Sequence, residues 1–311
     1  MNIQQFEYIL AVAEHRHFEE AADICSISQS TLSTMILKFE NEIGIKIFDR
    51  KKKPLEITLE GAAIIKQLKI ISNNIHQLKE TAKETRGEIK GTLTIAAIPT
   101  VAPFLLPLFL QKFALKFPEL RLQVREQTSK EIIRQLKSRE LDIGIISIPI
   151  EDDDLIELKL YDEPFMFYDG SATQASPISA HKINLNNLWL MEEGHCMRTQ
   201  VLNLCNNLKT KNNPSLNIDF KAGSIDSLLR FVKANKANTL LPYLSTLDFS
   251  EKEKQKLIPF KAPLPLRTIG LVVHKHFVKK KTLELFQKEI MLNIAPILAK
   301  VNCAGKVISP V

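Results

Sequence analysis

The sequence predicts a multidomain α+β protein, and three observations lead to this prediction. The first part of the 311-residue chain has apolar residues mostly at helical spacing. A longer helical stretch follows, with a narrow apolar repeat. From about residue 90, strand-like runs alternate with helical patterns, which indicates a parallel sheet with crossover helices. We therefore expect an N-terminal unit at residues 1–58, a long helix at 59–89 and an α/β domain at 90–311.

Composition indicates a folded protein without a membrane span. Hydrophobic residues make up 45% of the chain, but no apolar run reaches the roughly 18 residues that a membrane-spanning helix needs. Met1 opens a segment without the basic start and apolar core of a signal peptide. Four cysteines are too few for a secreted disulfide scaffold. We expect a soluble cytoplasmic protein with no membrane partner.

The N-terminal unit has the pattern of a helix-turn-helix. Residues 17–25 read as a short helix, Ser26 opens a turn, and Ser28 can cap a second helix over 29–43. In this motif the second helix enters the major groove of double-stranded DNA. Its first residues are small or carry amides, which suit base edges and phosphates. The predicted DNA-binding residues here are Ser28, Gln29, Ser30, Thr31 and Ser33.

A basic loop follows the helix-turn-helix between two short strand-like segments. Residues 45–48 and 55–57 are apolar enough for strands, and four consecutive cations begin at Arg50. A run of Lys and Arg is by itself most often a solvated loop. Next to a helix-turn-helix it suits a wing that meets phosphates, and we predict contacts by Arg50, Lys52 and Lys53. The formal net charge of +7 does not locate this site, because residues 1–58 are slightly acidic in sum.

Residues 59–89 predict one long helix that Thr58 can cap. Its apolar residues are spaced alternately by four and three, as in a coiled coil, and they are Ile64, Leu68, Ile71, Ile75, Leu78 and Ala82. We call these six residues the apolar stripe. The stripe favours a dimer, and the alternative is a helix that lies on its own domain.

These residues carry a family resemblance. Ala21-Ala22, the run from Ser28 to Ser33, Phe48-Asp49-Arg50 and the Thr58-x-x-Gly61 spacing resemble the N-terminal domain of LysR-type transcriptional regulators. The resemblance implies a winged helix-turn-helix, a dimerising linker helix and a C-terminal effector domain of the two-lobed, periplasmic-binding-protein-like kind. It also implies a homodimer or homotetramer that binds promoter DNA and contacts RNA polymerase.

The pattern of residues 90–311 predicts two α/β lobes. Lobe I comprises about 90–162 and 267–311, and lobe II about 163–266. Thr100 and Thr128 follow predicted strands, where ligands bind in open α/β sheets. Their hydroxyls can hold a small polar ligand, or they can only cap helices. The sequence contains no hydrolase, zinc-protease or phosphate-loop motif. We therefore expect no enzyme and no metal or cofactor.

Two cysteines in the second lobe stand in unlike surroundings. Cys196 lies at the predicted start of a helix over 197–205, beside His195 and close to Arg198, and each feature favours the thiolate. Cys205 lies among apolar residues, as an unreactive core thiol would. An intact helix would place the two nine residues and about 13.5 Å apart, whereas a disulfide needs Cα atoms within roughly 7 Å. The pair is either two core thiols or a switch that needs this helix to unwind.

A second resemblance is narrower. Gly194-His195-Cys196-x-Arg198-x-Gln200, followed by Cys205, resembles the redox centre of the OxyR-type peroxide sensors within the family. It implies that hydrogen peroxide oxidises Cys196, that Cys205 resolves it to a disulfide, and that a glutaredoxin- or thioredoxin-type reductant resets the pair. By the same resemblance Thr100, Thr128 and His195 shape the peroxide pocket, with Arg198 and Arg267 near it. Thr199 and the polar residues 206–213 depart from the pattern of that group.

Two other functions stay open from the sequence. One is a LysR-type regulator that binds a small organic effector between its lobes while its thiols are structural. The other is a thiol peroxidase, which would not need the first 90 residues. Cys25 and Cys303 lack the surroundings of a reactive thiol, and we expect both to be incidental.

Overall fold

A computed structural model of the chain describes residues 1–86, 88–172, 176–180, 183, 187–192, 194–204, 220–301 and 304–310. The chain divides into two compact units, Met1–Ala82 and Lys83–Val311. None of the helices in these described ranges is both long enough and apolar enough to cross a membrane.

The N-terminal unit is a winged helix-turn-helix, as predicted. Its elements are α1 (Ile3–His15), α2 (Phe18–Ile24), α3 (Gln29–Ile43), the antiparallel strands β1 (Phe48–Asp49) and β2 (Glu56–Ile57), and the start of α4 (Leu59–Thr85). The first strand is shorter than predicted. Ile47 precedes this strand. Its backbone N–H donates to the buried carboxylate of Glu40 over 2.7 Å, and its carbonyl oxygen accepts the N–H of Thr58 over 3.0 Å.

Small residues let the three short helices pack closely. Ala21 and Ala22 on α2 are at most 1% exposed, and they share a core with Ile9 of α1 and with Leu32 and Ile36 of α3. A methyl side chain fills little volume, so the helix backbones approach one another. This packing fixes the position of α3, the second or recognition helix of the motif.

The apolar stripe on α4 divides into two parts. Leu68 is buried in the core of the N-terminal unit together with Ile65, which lies outside the stripe. Farther along, Ile71 is 39% and Leu78 is 71% exposed within the single chain. The start of α4 therefore lies on its own domain, as the alternative prediction had it, whereas the later part presents apolar side chains to its surroundings.

The C-terminal unit is a mixed α/β structure with a long twisted sheet. Its elements are β3 (Gly91–Ala97), α5 (Ala102–Lys116), β4 (Leu120–Glu126), α6 (Ser129–Lys137), β5 (Ile143–Ile148), β6 (Leu155–Asp169), α7 (Cys196–Leu204), α8 (Ile225–Ala234), β7 (Asn238–Pro242), a 3-10 helix (Tyr243–Thr246), α9 (Glu251–Lys254), β8 (Leu257–Ile258), β9 (Leu264–His274), α10 (Lys280–Leu298) and β10 (Gly305–Val307).

Two long antiparallel strands, β6 and β9, join two lobes with separate cores. The strand order is β4-β3-β5-β9-β6-β7, and β8 also pairs with β6. One buried cluster centres on β3, β5 and β9 with α5 and α10, and the other centres on the far half of β6 with β7 and α8. The predicted two-lobed architecture is confirmed.

The sequence-based assignment of this unit was wrong in several places. Helix α8 was not predicted, and β9 begins at Leu264 instead of Thr268. The strand expected near Trp189 is absent from the described residues there, and only isolated bridges from Leu188 and Met191 occur. The first half of β6, in contrast, was not predicted as a strand. It carries the half-buried Glu157 and the exposed Lys159. Because these charged side chains interrupt the apolar run, this half looks like a loop in the sequence.

Candidate DNA-binding and redox sites

The start of α3 is a cluster of exposed hydroxyl groups. Ser28 is the N-cap, and its Oγ accepts a hydrogen bond from the backbone N–H of Thr31 over 3.2 Å. The same oxygen lies 3.0 Å from Ser30 Oγ and 2.8 Å from Thr31 Oγ1. Gln29 is also exposed. Four of the predicted DNA-binding residues therefore present amide and hydroxyl groups at one helix end.

Arg50 and Ser33 meet each other inside the N-terminal unit. Arg50 Nη1 donates to Ser33 Oγ over 2.6 Å, and Nη2 lies 3.4 Å from Glu40 Oε2. The guanidinium also lies 5.0 Å from the ring centroid of Phe18, a favourable cation–π position. The structure thus places this predicted phosphate contact between α2, α3 and the wing, where it stabilises their arrangement.

The tip of the wing keeps exposed cations. Lys52 and Lys53 are both exposed. Lys52 Nζ donates to Glu56 Oε2 over 2.6 Å, and this hydrogen bond and charge raise the pKa of the lysine. Lys53 is therefore the more accessible of the two cations for a phosphate.

Cys196 lies at the boundary between the two lobe cores. It is the first residue of α7, it carries a free thiol, and it is 9% exposed. Its side chain belongs to the buried cluster of lobe I, whereas Met197 and Val201 on the same helix belong to the cluster of lobe II. A rearrangement of α7 would therefore change both cores at once.

The neighbours predicted to act on Cys196 have their own partners. His195 is 6% exposed, and its Nε2 lies 3.6 Å from Glu192 Oε1. Arg198 Nη1 donates to the backbone oxygen of Met191 over 3.0 Å. The guanidinium thus ties α7 to the preceding segment. Cys205 and Cys303 lie outside the described residues, so the pairing of Cys196 with Cys205 stays a prediction.

Thr100 and Arg267 are brought together in a fully buried group. Arg267 Nη1 donates to Thr100 Oγ1 and Nη2 to the Thr100 carbonyl oxygen, both over 3.0 Å. Arg267 is 1% exposed, and its charge is balanced by Glu163, with 2.7 Å between Nε and Oε1. Glu163 also accepts the backbone N–H of Leu244 over 3.1 Å. Because Thr100 accepts from the arginine, its hydroxyl hydrogen is directed elsewhere.

Sequence reasoning missed Glu163. This carboxylate is 0% exposed and pairs across the sheet with Arg267, since the two are register partners on β6 and β9. A signal was present in the sequence, because Glu163 directly precedes the apolar run Pro164–Phe167. A charged residue in such a strand indicates a buried partner of opposite sign.

Tyr161 and Thr128 are two further polar residues of this unit. Tyr161 lies on the same face of β6 as Glu163, two residues away, and its hydroxyl has no hydrogen-bond partner among the described residues. Burial raises its pKa well above the ordinary value, with a smaller contribution from the charge of Glu163.

Thr128 is the N-cap residue of α6 and is half-buried, but its side chain makes no capping hydrogen bond. Its hydroxyl therefore does not have the capping role that the sequence left open.

Comparison with known proteins identifies the family. The family described as bacterial regulatory helix-turn-helix protein, lysR family, matches residues 3–62. The family described as LysR substrate binding domain matches residues 86–291. The chain belongs to the LysR family. The predicted resemblance is therefore confirmed, and this LysR-family protein carries the winged helix-turn-helix and the effector domain in the expected order.

The relatives of this LysR-family protein include peroxide regulators. A hydrogen peroxide-inducible genes activator of Pectobacterium carotovorum is 34% identical over 88% of this chain and 90% of its own. The DNA-binding transcriptional dual regulator OxyR of Escherichia coli K12 is 33% identical over 88% and 89%. A full-length OxyR variant of Pseudomonas aeruginosa has a TM-score of 0.74 at 26% identity, with 98% and 99% of the two chains covered.

Proposed function

We propose that this protein is a transcription regulator that senses hydrogen peroxide through Cys196 and a reversible Cys196–Cys205 disulfide, and that it controls oxidative-stress genes. The observation that carries the proposal is the position of the Cys196 thiol, which joins the lobe I core while the rest of α7 packs into lobe II. A chemical change at this atom alters the contact between the lobes. The peroxide regulators among its relatives support the same conclusion.

The chemistry has two steps. The Cys196 thiolate attacks one oxygen of hydrogen peroxide, so that the O–O bond breaks, a sulfenic acid forms and the second oxygen leaves as water after protonation. The Cys205 thiol then attacks the Cys196 sulfur, an S–S bond forms and a second water molecule leaves. Because α7 is helical from Cys196 to Leu204, the second step requires this helix to unwind.

The first step needs groups that bind the peroxide beside Cys196. His195 is buried next to the thiol in sequence, and Thr100 directs a hydroxyl hydrogen away from Arg267. We assign His195, Thr100 and Thr128 to binding of the peroxide, with Arg267 holding Thr100 in place. Arg198 acts on the peroxide site indirectly, because its hydrogen bond to the Met191 carbonyl oxygen positions the start of α7.

The output of the switch is a change in DNA binding. We assign base and phosphate contacts to Ser28, Gln29, Ser30 and Thr31 at the start of α3 and to Lys52 and Lys53 on the wing. The exposed apolar residues Ile71 and Leu78 on α4 suit contact with a second copy of the chain. A dimer that assembles further to a tetramer would present paired recognition helices to an operator and activate RNA polymerase.

This function places the protein in the cytoplasm. There a glutaredoxin- or thioredoxin-type dithiol would donate two electrons, reopen the disulfide and restore α7. The proposed cycle uses no metal and no cofactor.

The first test is a mass-spectrometric map of the full chain after mild peroxide treatment. We expect a Cys196–Cys205 linkage in the parent and none in Cys196→Ser or Cys205→Ser, while Cys25→Ser is the matched control and keeps the linkage. In a promoter assay, Cys196→Ser should lose the response to peroxide. A normal response of this variant would show that the proposal is wrong.

A DNA footprint on the protein's own upstream region distinguishes the proposed peroxide switch from the organic-effector alternative. The proposed switch predicts a changed footprint on oxidation with no added metabolite. A footprint that changes only with a metabolite, while both thiols stay reduced, would instead assign the site between the lobes to an organic ligand.

A further inference from the structure

A segment near the C-terminus lies against the helix that carries Cys196. We call residues 304–310 the C-terminal segment. Its strand β10 pairs in parallel with the start of β9, with Gly305 opposite Leu264 and Val307 opposite Leu266. One residue farther, the backbone N–H of Ile308 donates to the Leu266 oxygen over 2.8 Å. This end of the chain is thus held beside the residues that directly precede Arg267.

The C-terminal segment is also held by side chains of α7. Gln200 is 0% exposed, and its Nε2 donates to the carbonyl oxygen of Ile308 over 2.9 Å. One turn farther, Asn203 Nδ2 lies 3.5 Å from the Ser309 oxygen, which is a weaker contact. Ile308 itself is 9% exposed. The segment therefore joins α7 to β9 by hydrogen bonds to both.

The position of these two contacts along the chain matters for the redox step. Gln200 and Asn203 both lie between Cys196 and Cys205, in the stretch that must unwind before the disulfide can close. Hydrogen bonds that exist only while α7 is helical stabilise the dithiol form relative to the disulfide form. The buried bond from Gln200 is the stronger of the two, because no water replaces its partner.

The fit of the C-terminal segment against β9 depends on a glycine. A Cβ atom at Gly305 would lie 2.1 Å from the carbonyl oxygen of Leu264. Any larger residue would therefore push β10 away from β9 without changing α7 itself. The hydrogen bond between α7 and Ile308 can thus be removed in two independent ways, by a change at Gln200 or by a change at Gly305.

We propose that the C-terminal segment restrains α7 in its helical, dithiol form, with Gln200 as the positioning residue, and so limits how readily the Cys196–Cys205 disulfide forms. This inference rests on the proposed function, since it concerns the same pair of thiols. It gives the C-terminal segment a role in setting the oxidant level at which the protein switches.

The test compares the full-length parent with three release variants. Gln200→Met removes the donor at similar volume, Gly305→Val displaces β10, and a chain that ends at Val307 lacks the acceptor oxygens. Lys306→Ala is the matched control, because this side chain is exposed on the same strand and the backbone pairing stays. Circular dichroism checks that each variant is folded. If a substitution prevents folding, the truncated chain is used instead, because it removes no member of either lobe cluster.

Each protein is equilibrated with mixtures of reduced and oxidised glutathione, and the Cys196–Cys205 disulfide is quantified after alkylation. Oxidised glutathione takes the two electrons as the protein disulfide forms, so the equilibrium constant is defined. We expect this constant to rise by roughly five- to tenfold in all three release variants, and a tenfold rise corresponds to a potential about 30 mV more negative. Lys306→Ala should match the parent.

A second measurement isolates the first chemical step. In a Cys205→Ser background, where no disulfide can close, the release variants should be oxidised by peroxide at rates within about twofold of the parent, because the C-terminal segment bonds α7 beyond Cys196.

The two proposals fail in different ways. If the parent forms no Cys196–Cys205 disulfide, the proposed function is wrong. If the parent forms it and the release variants have the same or a smaller equilibrium constant, the role of the C-terminal segment is refuted while the peroxide switch stands. A rise in Gln200→Met alone would likewise refute the role of the segment.

Discussion

Two buried carboxylates, one in each unit, show how the same chemistry is built in different ways. Glu40 and Glu163 are 4% and 0% exposed. Glu40 accepts two backbone N–H groups and Glu163 accepts one. Each carboxylate pairs with an arginine, and each arginine also donates to a hydroxyl, on Ser33 or on Thr100.

The difference lies in distance along the chain and in burial. The donors to Glu40 follow it by seven to ten residues, whereas those to Glu163 lie 81 and 104 residues away. The Arg50 side chain is 35% exposed and that of Arg267 is 1% exposed. The first group therefore stabilises one small domain, and the second joins distant strands of the C-terminal unit. Loss of the arginine should cost much more in the second group.

The largest effect is expected for Arg267→Met. The substitution leaves Glu163 buried without its counter-charge, which costs about 3–5 kcal/mol in the free energy of unfolding. Trp189 is the only tryptophan and is buried in lobe II, so its fluorescence during urea unfolding of the full chain reports this loss. Adding Glu163→Gln should restore part of it. A single variant within about 1 kcal/mol of the parent would show that the pair is not a structural unit.

A smaller effect is expected for Arg50→Met. Glu40 keeps the two backbone N–H groups of Ile47 and Phe48, and the arginine is partly solvated, so the loss should be about 1–2 kcal/mol. Hydrogen exchange of amides within residues 1–57 measures it, with Lys46→Ala as an exposed control. A loss equal to that of Arg267→Met would remove the distinction between the two groups.

The salt dependence of DNA affinity distinguishes the role of Arg50 from that of Lys53. Lys53→Ala should weaken binding to all sequences and make the slope of log affinity against log salt shallower by about 0.9, because one phosphate contact is lost. Arg50→Met should weaken binding without changing this slope, since its guanidinium is engaged by Ser33 and Glu40. If both variants change the slope equally, Arg50 contacts a phosphate directly, as the sequence alone predicted.

The smallest effect concerns a third carboxylate, Glu253, which is nearer the surface. Its hydrogen bonds with Lys233 and then with Ser250 lower its pKa from 4.5 to about 2. A pKa that is lower in the folded protein gives stability that is present above pH 4.5 and is lost as the pH falls towards about 2. The parent should exceed Glu253→Gln by at most about 1 kcal/mol at neutral pH.

The measurement for Glu253 is the unfolding midpoint of both chains between pH 6 and pH 2, with Glu251→Gln as an exposed neighbouring control. The difference between the parent and Glu253→Gln should vanish as the pH falls. A difference that stays constant down to about pH 2 would mean that the charge of Glu253 does not stabilise the fold.

Local patterns in the sequence predicted the elements whose contacts are local. Helix α3 was predicted with its observed bounds, since Ser28 and Gly44 flank an amphipathic run, and strand β4 likewise. The unusual surroundings of Cys196 were also visible, because His195, Gly194 and the start of a helix are adjacent in the chain.

The sequence by itself determined the order of the domains, the recognition helix and the candidate thiol, because a helix cap, an apolar period or a neighbouring residue acts over a few positions. Only the tertiary structure decided that Arg50 binds Ser33 and Glu40, that Arg267 joins Thr100 to Glu163, and that Ile308 lies against Gln200. These pairs meet because strands and helices pack from distant parts of the chain, and the spacing of residues along one segment does not specify which buried groups will face each other.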